Sequence, residues 1–343
     1  MKKMSIKQLA KELNISTATI SYIINGKARE KRISEELEIK VQKYVKEQNY
    51  IPNHLASSLR SGKTKIICLM VEDISDVFFA GVAGLIEQIA YEKGYKIIYC
   101  STKNDTNKTK ELISTFFSRN VDGYIITPPN GIEKDIQSLL NEKIPIVTFD
   151  RYLTDTNVSY VGTDNLNSSY KATKHLLDQG FKNIAFITLE STQSQMQERL
   201  EGYKKAMAEA GKETIIEKID YSARLQDLPI NKIESLLREN PAIDAVYFGT
   251  NYLAVSGLKA INKVGLKLGK NIGMVVFDDS DLFMVHQPTI TAVAQPIEAM
   301  SVQLINILLS HLEKVDVYTS QKIIISGELI IRESSIKKAI SKL

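Results

Sequence analysis

Polar and charged side chains follow several apolar, strand-like runs of this sequence, at the point where each run ends. They are Asp73, Asp76, Asp150, Arg151, Thr250, Asn251, Asp278 and Asp279. Carboxylates and a guanidinium in fixed positions match a polyhydroxyl ligand, because they offer charged acceptors and donors to paired hydroxyls. The pattern therefore predicts a small-molecule site beyond the carboxyl ends of the strands.

The sequence contains fragments of catalytic motifs, but each of them lacks a residue or a spacing that the chemistry requires. Ser61-Gly62-Lys63-Thr64 contains the Gly-Lys-Thr of a phosphate loop, but it lacks the earlier glycine and precedes a strand instead of following one. Asp278 and Asp279 are adjacent, so their side chains point in different directions, which disfavours a glycosidase pair. The four histidines and two cysteines lack metal-ligand spacing, and there is no Gly-x-Ser-x-Gly elbow. We therefore expect neither an enzyme nor a metal or cofactor site.

The polar residues lie within a regular alternation of strand and helix patterns that begins near Lys65. Strand-like runs cover residues 66–71, 95–100, 121–127 and 144–149, and a second series of strands and helices begins near Tyr160. Repetition of this length predicts βαβ units and parallel sheets. We expect two doubly wound lobes around one cleft, with a last helix (297–312) and strand (322–325) returning the chain to the first lobe.

The start of the chain shows two short amphipathic helix patterns separated by a tight turn. Apolar residues at positions 6, 9, 10 and 13 form one stripe, and Ser5 with Gln8 has the spacing of a capping box. Ser16 is placed to cap the second helix, whose outward residues are Thr17, Ala18, Ser21 and Tyr22. Small hydroxyl and methyl groups suit contacts to base edges in the major groove, so the pattern predicts a helix-turn-helix that binds DNA.

Charge is distributed unevenly along the 343 residues. Residues 1–62 contain 12 Lys or Arg and 6 Asp or Glu, whereas the remaining 281 contain 32 and 34. A basic head on a near-neutral body is typical of a module that binds a polyanion. The sequence shows no signal-peptide pattern and no apolar run long enough for a membrane span, and Cys68 and Cys100 lie in apolar runs. We therefore expect a cytoplasmic protein with no membrane partner.

A third helix opened by Ser34 comes next, and Pro52 separates it from a short polar segment, residues 54–60, that Asn53 can cap. With fewer than two turns, this segment is not expected to be a stable helix on its own. It is a candidate for folding when it binds.

In their order along the chain, these segments resemble the lactose-repressor (LacI/GalR) family of bacterial transcription regulators. The resemblance is carried by residues 14–21 with Asn25, residues 49–53 and 56–60, Val121-Asp122-Gly123, Asp150-Arg151, Arg199-Leu200-Glu201-Gly202, Phe277-Asp278-Asp279 and Pro288-Thr289-Ile290-Thr291. It implies an α/β fold: an N-terminal three-helix helix-turn-helix head plus a hinge helix, then two doubly wound parallel-sheet lobes of periplasmic-binding-protein-like type.

The resemblance also implies domain bounds and a function. The domains are a head (1–49), a hinge (50–63) and an effector-binding and dimerisation domain (64–343), with an N-lobe at about 64–162 and 296–324 and a C-lobe at about 163–295 and 325–343. The implied function is a sequence-specific repressor that binds a palindromic DNA operator as a homodimer, under the control of a small-molecule effector. Asp150-Arg151 is frequent in sugar-responsive members, which favours a carbohydrate over a purine.

Three alternatives accompany this interpretation. A periplasmic-type sugar-binding protein would share the lobes but lack the basic head. A metabolic enzyme would need a nucleophile or cofactor motif. Control of the regulator by a phosphoprotein coregulator is not indicated by the sequence but stays open.

Residue roles follow from the resemblance position by position. The implied DNA-binding residues are Ser5, Ser16, Thr17, Ala18, Thr19, Ser21, Tyr22, Asn25, Asn53, Ser57, Leu59 and Arg60. Among them, Leu59 matches the leucine that family members insert into the central minor groove, and Tyr22 stands where many members have arginine. The implied effector-binding residues are Phe79, Asp150, Arg199, Thr250, Asn251 and Asp278. In the loop before the third helix, Arg29, Lys31 and Arg32 are either phosphate contacts or solvated charges.

Overall fold

The computed structural model describes residues 4–48, 50, 62–223, 227–313 and 319–337. The chain divides into two compact units, Met1–Thr64 and Lys65–Leu343. The expected hinge helix lies outside the described residues, and with it Asn53, Ser57, Leu59 and Arg60. The bounds given above for head, hinge and lobes stay predictions.

The described part of the first unit contains three helices: α1 (Ile6–Leu13), α2 (Thr17–Ile24) and α3 (Glu35–Glu47). Their common core contains Leu9, Ile20, Ile23 and Val41, each at most 1% exposed. Ala28 from the loop between α2 and α3 joins this core, so the loop is anchored near its middle. Such a small core removes little apolar surface from water, so helix capping matters for the stability of this unit.

The second unit contains two lobes, each built on a six-stranded sheet. The N-lobe begins with β1 (Ile66–Val71), α4 (Val77–Glu92), β2 (Lys96–Ser101), α5 (Thr106–Ser118), β3 (Gly123–Ile126), α6 (Glu133–Asn141), β4 (Ile146–Phe149) and β5 (Ser159–Thr163). The C-lobe continues with α7 (Asn165–Asp178), β6 (Ile184–Leu189), α8 (Ser194–Glu209), β7 (Ile215–Ile219), α9 (Leu228–Glu239), β8 (Ala245–Phe248), α10 (Asn251–Val264), β9 (Gly273–Phe277), α11 (Asp281–Val285) and β10 (Thr291–Ala294).

The chain then crosses between the lobes twice more. Helix α12 (Ile297–Glu313) and strand β11 (Lys322–Ile325) return to the N-lobe, and β12 (Glu328–Ile330) ends in the C-lobe. The N-lobe sheet has the order β11-β5-β4-β3-β1-β2 with all strands parallel. The C-lobe sheet has the order β12-β10-β9-β8-β6-β7, in which only the edge strand β12 is antiparallel. Two doubly wound lobes and the return of the last helix and strand are therefore confirmed.

Helices cover both faces of each sheet, which explains why the central strands are buried along most of their length. In β1, Ile67 to Val71 are buried, and all four residues of β8 are buried. Separate apolar clusters fill the two faces of each lobe. With the interior occupied in this way, polar groups collect at the strand ends.

In the two-lobed unit, the helices and strands differ from the sequence prediction in two respects. Helix α8 begins at Ser194, one turn before the predicted start at Glu198, because its polar first turn is buried by tertiary contacts and not by an apolar stripe. The short elements α11, β10 and β12 are not predicted at all. They contain three to five residues, too few for a hydrophobic period to be recognised.

Candidate functional sites

A cavity of about 240 Å³ lies beyond the carboxyl ends of the strands, between the two lobes. Its wall consists of Glu72, Asp73, Ser75, Asp76, Phe78, Phe79, Asp150, Arg151, Leu189, Gln193, Gln195, Met196, Arg199, Thr250, Tyr252, Asp278 and Gln295. Both lobes contribute, as expected when two doubly wound sheets face each other.

Two carboxylates occupy equivalent places in the two lobes. Asp150 follows β4 and Asp278 follows β9, and each of these strands is third in the order of its sheet. Both residues have left-handed backbone conformations, with φ of 67° and 77°. Aspartate tolerates this conformation better than most residues, and such strain concentrates at functional sites.

Arg199 on α8 is only 2% exposed and is held by several contacts. Its Nε donates to Asn165 Oδ1 at 2.9 Å, and its Nη1 donates to the Gly249 carbonyl at 2.8 Å. Nη1 also lies 3.6 Å from Asp278 Oδ2, and the guanidinium carbon lies 3.6 Å from the centroid of the Phe277 ring. These contacts within the described part of the chain leave Nη2 as the nitrogen that a ligand can use.

Gly202, three residues after Arg199, explains how α8 approaches α7 so closely. A Cβ at Gly202 would lie 2.2 Å from the Leu166 carbonyl oxygen and 2.8 Å from the Tyr170 nitrogen, so no side chain fits there. Ser169 Oγ on α7 donates to the Arg199 carbonyl at 2.6 Å. The Arg-Leu-Glu-Gly segment therefore positions Arg199 by means of the missing side chain of its glycine.

Arg151 is the second cation of the cavity, and its three nitrogens are all engaged. Nε donates to Asp150 Oδ2 at 3.3 Å, Nη1 donates to Asn104 Oδ1 at 2.8 Å, and Nη2 donates to the Glu72 carboxylate. Burial lowers the pKa of Arg151, but the two carboxylates outweigh burial and the net pKa is raised. Glu72 directly follows β1 in the same way as Asp150 directly follows β4. The sequence prediction nevertheless omits Glu72.

Burial raises the pKa values of three carboxyl groups that line the cavity, those of Asp76, Asp150 and Asp278. It raises the pKa of Asp278 to about 6, although the Arg199 guanidinium opposes the shift. Burial also raises the pKa of Asp76 and of Asp150. A charged carboxylate is costly to bury, so each of these groups favours a ligand that donates hydrogen bonds to it.

The structure brings five of the six predicted effector residues together. The five of the six predicted residues that line the cavity are Phe79, Asp150, Arg199, Thr250 and Asp278. Phe79 packs on Phe78 with ring centroids 5.0 Å apart, which gives the cavity an apolar wall. Asn251 does not line the cavity; its amide donates to Asp76 Oδ2 at 3.1 Å and so joins the two lobes.

Glutamine side chains supply neutral polar groups to the cavity, and the sequence prediction omits them. Gln193 Nε2 donates to Asn104 Oδ1 at 2.6 Å, and Gln195 Nε2 donates to Asp150 Oδ2 at 3.3 Å, in both cases from the C-lobe to the N-lobe. Gln195 and Arg199 are one helical turn apart on α8, so they share a face. If the predicted helix had begun at Ser194, the spacing of four residues would have placed Gln195 and Arg199 on the same face.

In the first unit, predicted DNA-binding side chains cap the helices. Ser5 Oγ accepts from the Gln8 amide at 3.3 Å, and Gln8 Oε1 accepts from the Ser5 amide at 2.9 Å, which confirms the capping box. Ser16 Oγ accepts from the Thr19 amide at 3.0 Å. These bonds fix where α1 and α2 begin.

The exposed surface of α2 is smaller than predicted. Its exposed residues are Thr17, Ala18 and Tyr22. The predicted outward position of Ser21 is wrong: the residue is 9% exposed, because the Asn25 amide lies 2.7 Å from its carbonyl oxygen and 3.3 Å from its hydroxyl. Lys31 Nζ, from the loop after α2, lies 5.3 Å from the centroid of the Tyr22 ring. Tyr22 is therefore flanked by a cation of the same unit.

Within the described ranges, no helix has the length and apolar content needed to cross a membrane. In the same part of the chain, no group of three or more His, Cys, Asp or Glu residues is arranged to hold a metal ion. Cys68 is buried and Cys100 is half-buried, both as free thiols.

Both units match known proteins. Residues 5–53 match the family described as bacterial regulatory proteins, lacI family, and residues 67–315 match the periplasmic binding protein domain. The chain is 30% identical to the HTH-type transcriptional regulator DegA of Bacillus subtilis over 342 residues, which are 97% of this chain and 98% of DegA. It is 29% identical to the ribose operon repressor of Halalkalibacterium halodurans over 333 residues, 96% of this chain and 97% of that protein.

A solved structure adds a bound ligand to this comparison. The periplasmic binding protein/LacI transcriptional regulator of Alkaliphilus metalliredigens, complexed with D-xylulofuranose, is 26% identical to this chain. The match has a TM-score of 0.69 and covers 79% of this chain and 98% of that one.

A helix-turn-helix unit followed by a two-lobed unit with a polar cavity defines a DNA-binding regulator that responds to a small molecule. This chain belongs to the lacI family of bacterial regulatory proteins. The predicted family, fold class and repressor function are therefore confirmed, and its relatives are transcriptional regulators and not enzymes.

Proposed function

We propose that this repressor binds a palindromic operator as a homodimer in the cytoplasm, and that a sugar in the cavity between its lobes changes its DNA affinity. The observation that carries the proposal is the group formed by Asp150, Arg199 and Asp278 around one cavity between the lobes. Asp150 and Asp278 can accept hydrogen bonds from neighbouring hydroxyls of a sugar ring, and Arg199 can donate to them. Phe79 offers an apolar surface to the face of that ring.

The size of the cavity favours a monosaccharide. Its volume of about 240 Å³ is below the roughly 300–1,000 Å³ that is usual for drug-sized ligands. The relatives support a carbohydrate as well, because one of them is named a ribose operon repressor and a solved regulator contains D-xylulofuranose.

The cavity also contacts the segments that cross between the lobes, which supports coupling to DNA binding. Gln295, in the second crossing, donates from Nε2 to Asp278 Oδ1 at 2.6 Å, and its Oε1 accepts from Thr163 Oγ1 at 2.6 Å. Asn165, directly after the first crossing, accepts from Arg199 Nε. A ligand that moves Asp278 or Arg199 would therefore act on two of the connections about which the lobes move.

On the DNA side, we propose that Thr17, Ala18 and Tyr22 contact base edges in the major groove. Ser5 caps α1 and Ser16 caps α2, and we propose that both, together with Thr19 and Asn25, also donate to the DNA backbone. Ser21 would support α2 from within, because it is buried under Asn25. The hinge residues Asn53, Ser57, Leu59 and Arg60 would bind the minor groove, as the resemblance implies.

Thermal unfolding of the full chain with a panel of sugars and purines tests the class of ligand. A ligand that binds only the folded state raises the melting temperature of the two-lobed unit. We expect a pentose or hexose to do so, and Arg199→Lys to abolish the increase, because lysine cannot reproduce the forked hydrogen bonds of a guanidinium.

The matched control is Arg238→Lys on α9, where an exposed arginine pairs only with groups at the surface. Its ligand response should equal that of the unaltered protein. A purine that raises the melting temperature when no sugar does would contradict the carbohydrate assignment.

A further inference from the structure

The side chain of Gln195 has a fixed orientation and one unused acceptor. It is 2% exposed, lines the cavity and donates from Nε2 to Asp150 Oδ2 at 3.3 Å. Because an ionised carboxylate only accepts hydrogen bonds, the amide nitrogen must face Asp150. Gln195 Oε1 is then fully buried, and no donor among the described residues reaches it. Buried acceptors are almost always paired, so a ligand that supplies a donor here gains a hydrogen bond without displacing one.

Acceptors are in surplus around the same space. Asp76 and Asp278 line it with Asp150, and each carboxylate oxygen can accept more than one hydrogen bond. Asp278 Oδ1 accepts from Gln295 at 2.6 Å, which leaves further capacity on both oxygens. A ligand in this cavity therefore meets more acceptors than donors.

The cations of the wall are largely committed to protein partners. Arg151 uses all three nitrogens on Glu72, Asp150 and Asn104. Arg199 uses Nε and Nη1 on protein oxygens and retains Nη2. Within the described residues that line the cavity, no lysine is present. A phosphate would bring further negative charge and acceptor oxygens to a wall with one uncommitted cationic nitrogen.

We propose that the cavity selects a sugar without phosphate or carboxylate groups, one whose neighbouring hydroxyl or amino groups donate to Gln195 Oε1 and to Asp150. This inference rests on the proposed sugar response and narrows it to donor-rich, non-anionic sugars. Gln195 is then a specificity residue, because it selects for a donor at one position of the ring. An anionic derivative of the same skeleton is rejected by like charge, because the wall contains more carboxylates than uncommitted cationic groups.

Titration calorimetry on the full chain tests this selection with paired probes. The parent sugars are D-ribose, D-xylulose, D-glucose and D-glucosamine, and their anionic partners are D-ribose 5-phosphate, D-xylulose 5-phosphate, D-glucose 6-phosphate and D-glucosamine 6-phosphate. We expect one parent sugar to bind about 100-fold or more tightly than its anionic partner. An anionic partner that binds as tightly as its parent would overturn this inference but leave the sugar response standing. Binding of a purine and of no sugar would overturn the sugar response itself.

The variant Gln195→Met tests the role of the unused acceptor. Methionine has a similar length but no acceptor, so affinity for the selected sugar should fall about tenfold to a hundredfold. The melting temperature without ligand should fall modestly, because the variant loses the Nε2 hydrogen bond to Asp150, whereas Oε1 makes no hydrogen bond that could be lost. The matched control is Gln197→Met, an exposed glutamine on the same helix. Unchanged affinity in Gln195→Met would overturn the role of Gln195, and the paired-probe titration decides the ligand class even if this variant does not fold.

Discussion

We call α2 the recognition helix, because we propose that it contacts the major groove. This helix and the cavity hold their polar groups in contrasting ways. In the first unit, the partners are local: Ser16 caps α2 through an amide three residues away. In the cavity, the partners are distant in sequence, because Gln193 and Asn104 are 89 residues apart and Arg199 and Asn165 are 34 apart. The geometry of the recognition helix is therefore set by short segments, whereas that of the cavity is set by the packing of whole lobes.

This difference indicates which substitutions should damage ligand binding and which should damage the helical unit. A change of packing between helices should damage the cavity even if it lies away from the ligand, and it should leave the small helical unit unaffected. Loss of a cap should do the reverse.

The largest expected effect is that of Gly202→Ala. The added Cβ would meet the backbone of α7, so we expect the free energy of unfolding of the two-lobed unit to fall by about 3 kcal/mol and ligand binding to weaken strongly. Scanning calorimetry should show no change in the transition of the helical unit. The control is Gly84→Ala on α4, where a Cβ meets nothing within 4 Å and the change should be neutral or stabilising. A melting temperature of Gly202→Ala equal to that of the unaltered chain would contradict the close helix packing.

Ligand affinity should fall as the pH is lowered through 6. The pKa of Asp278 is about 6 because the group is buried, and protonation removes an acceptor that the ligand uses. Asp76 and Asp150 have raised pKa values and act in the same direction. Below pH 6 we expect up to about a tenfold loss of affinity per pH unit, measured by calorimetry from pH 7.5 to 5. Asp278→Asn should bind weakly with a flatter profile, and a constant affinity in the unaltered protein would refute the acceptor role.

Ser16→Ala should affect the helical unit alone. Loss of an N-cap costs about 1 kcal/mol, which in a unit of this size lowers the melting temperature by about 4–8 °C. The sugar-induced rise in the melting temperature of the two-lobed unit should be unchanged, which serves as the internal control. A stability loss in both units would mean that they do not unfold independently.

The smallest effect is expected for Lys31→Gln, which decides between a phosphate contact and a solvated charge. The contact with Tyr22 holds Lys31 beside the recognition helix, so we expect a phosphate contact. The slope of log affinity against log salt should then fall by about 1, measured by fluorescence anisotropy on a fixed DNA. Lys43→Gln, at an exposed position on α3, is the control variant. An unchanged slope in Lys31→Gln would favour the solvated charge.

Much of the fold follows from the sequence because it depends on local rules. Alternation of apolar runs predicts the parallel strands, and the capping box predicts the start of α1. The strand-end rule finds Asp150 and Asp278 without any knowledge of their neighbours. These features need only a few adjacent residues to be recognised.

The rest depends on contacts between distant segments. Gln195 is on a polar helical turn that no hydrophobic period marks, and only the packing of the lobes buries it. Ser21 has the spacing of an outward residue, but the side chain of Asn25 folds over it. The antiparallel edge strand β12 has three residues and is defined only by its pairing with β10.

The central claim is that a sugar in the cavity changes the DNA affinity of the helix-turn-helix unit. The most direct test selects a DNA fragment with the full chain and measures its affinity with and without saturating sugar, in the unaltered protein and in Arg199→Lys. We predict a change of about 5-fold to 150-fold in the unaltered protein and none in Arg199→Lys, with equal DNA affinities of the two proteins in the absence of sugar. A DNA affinity that stays constant while the sugar is shown to bind would contradict the claim.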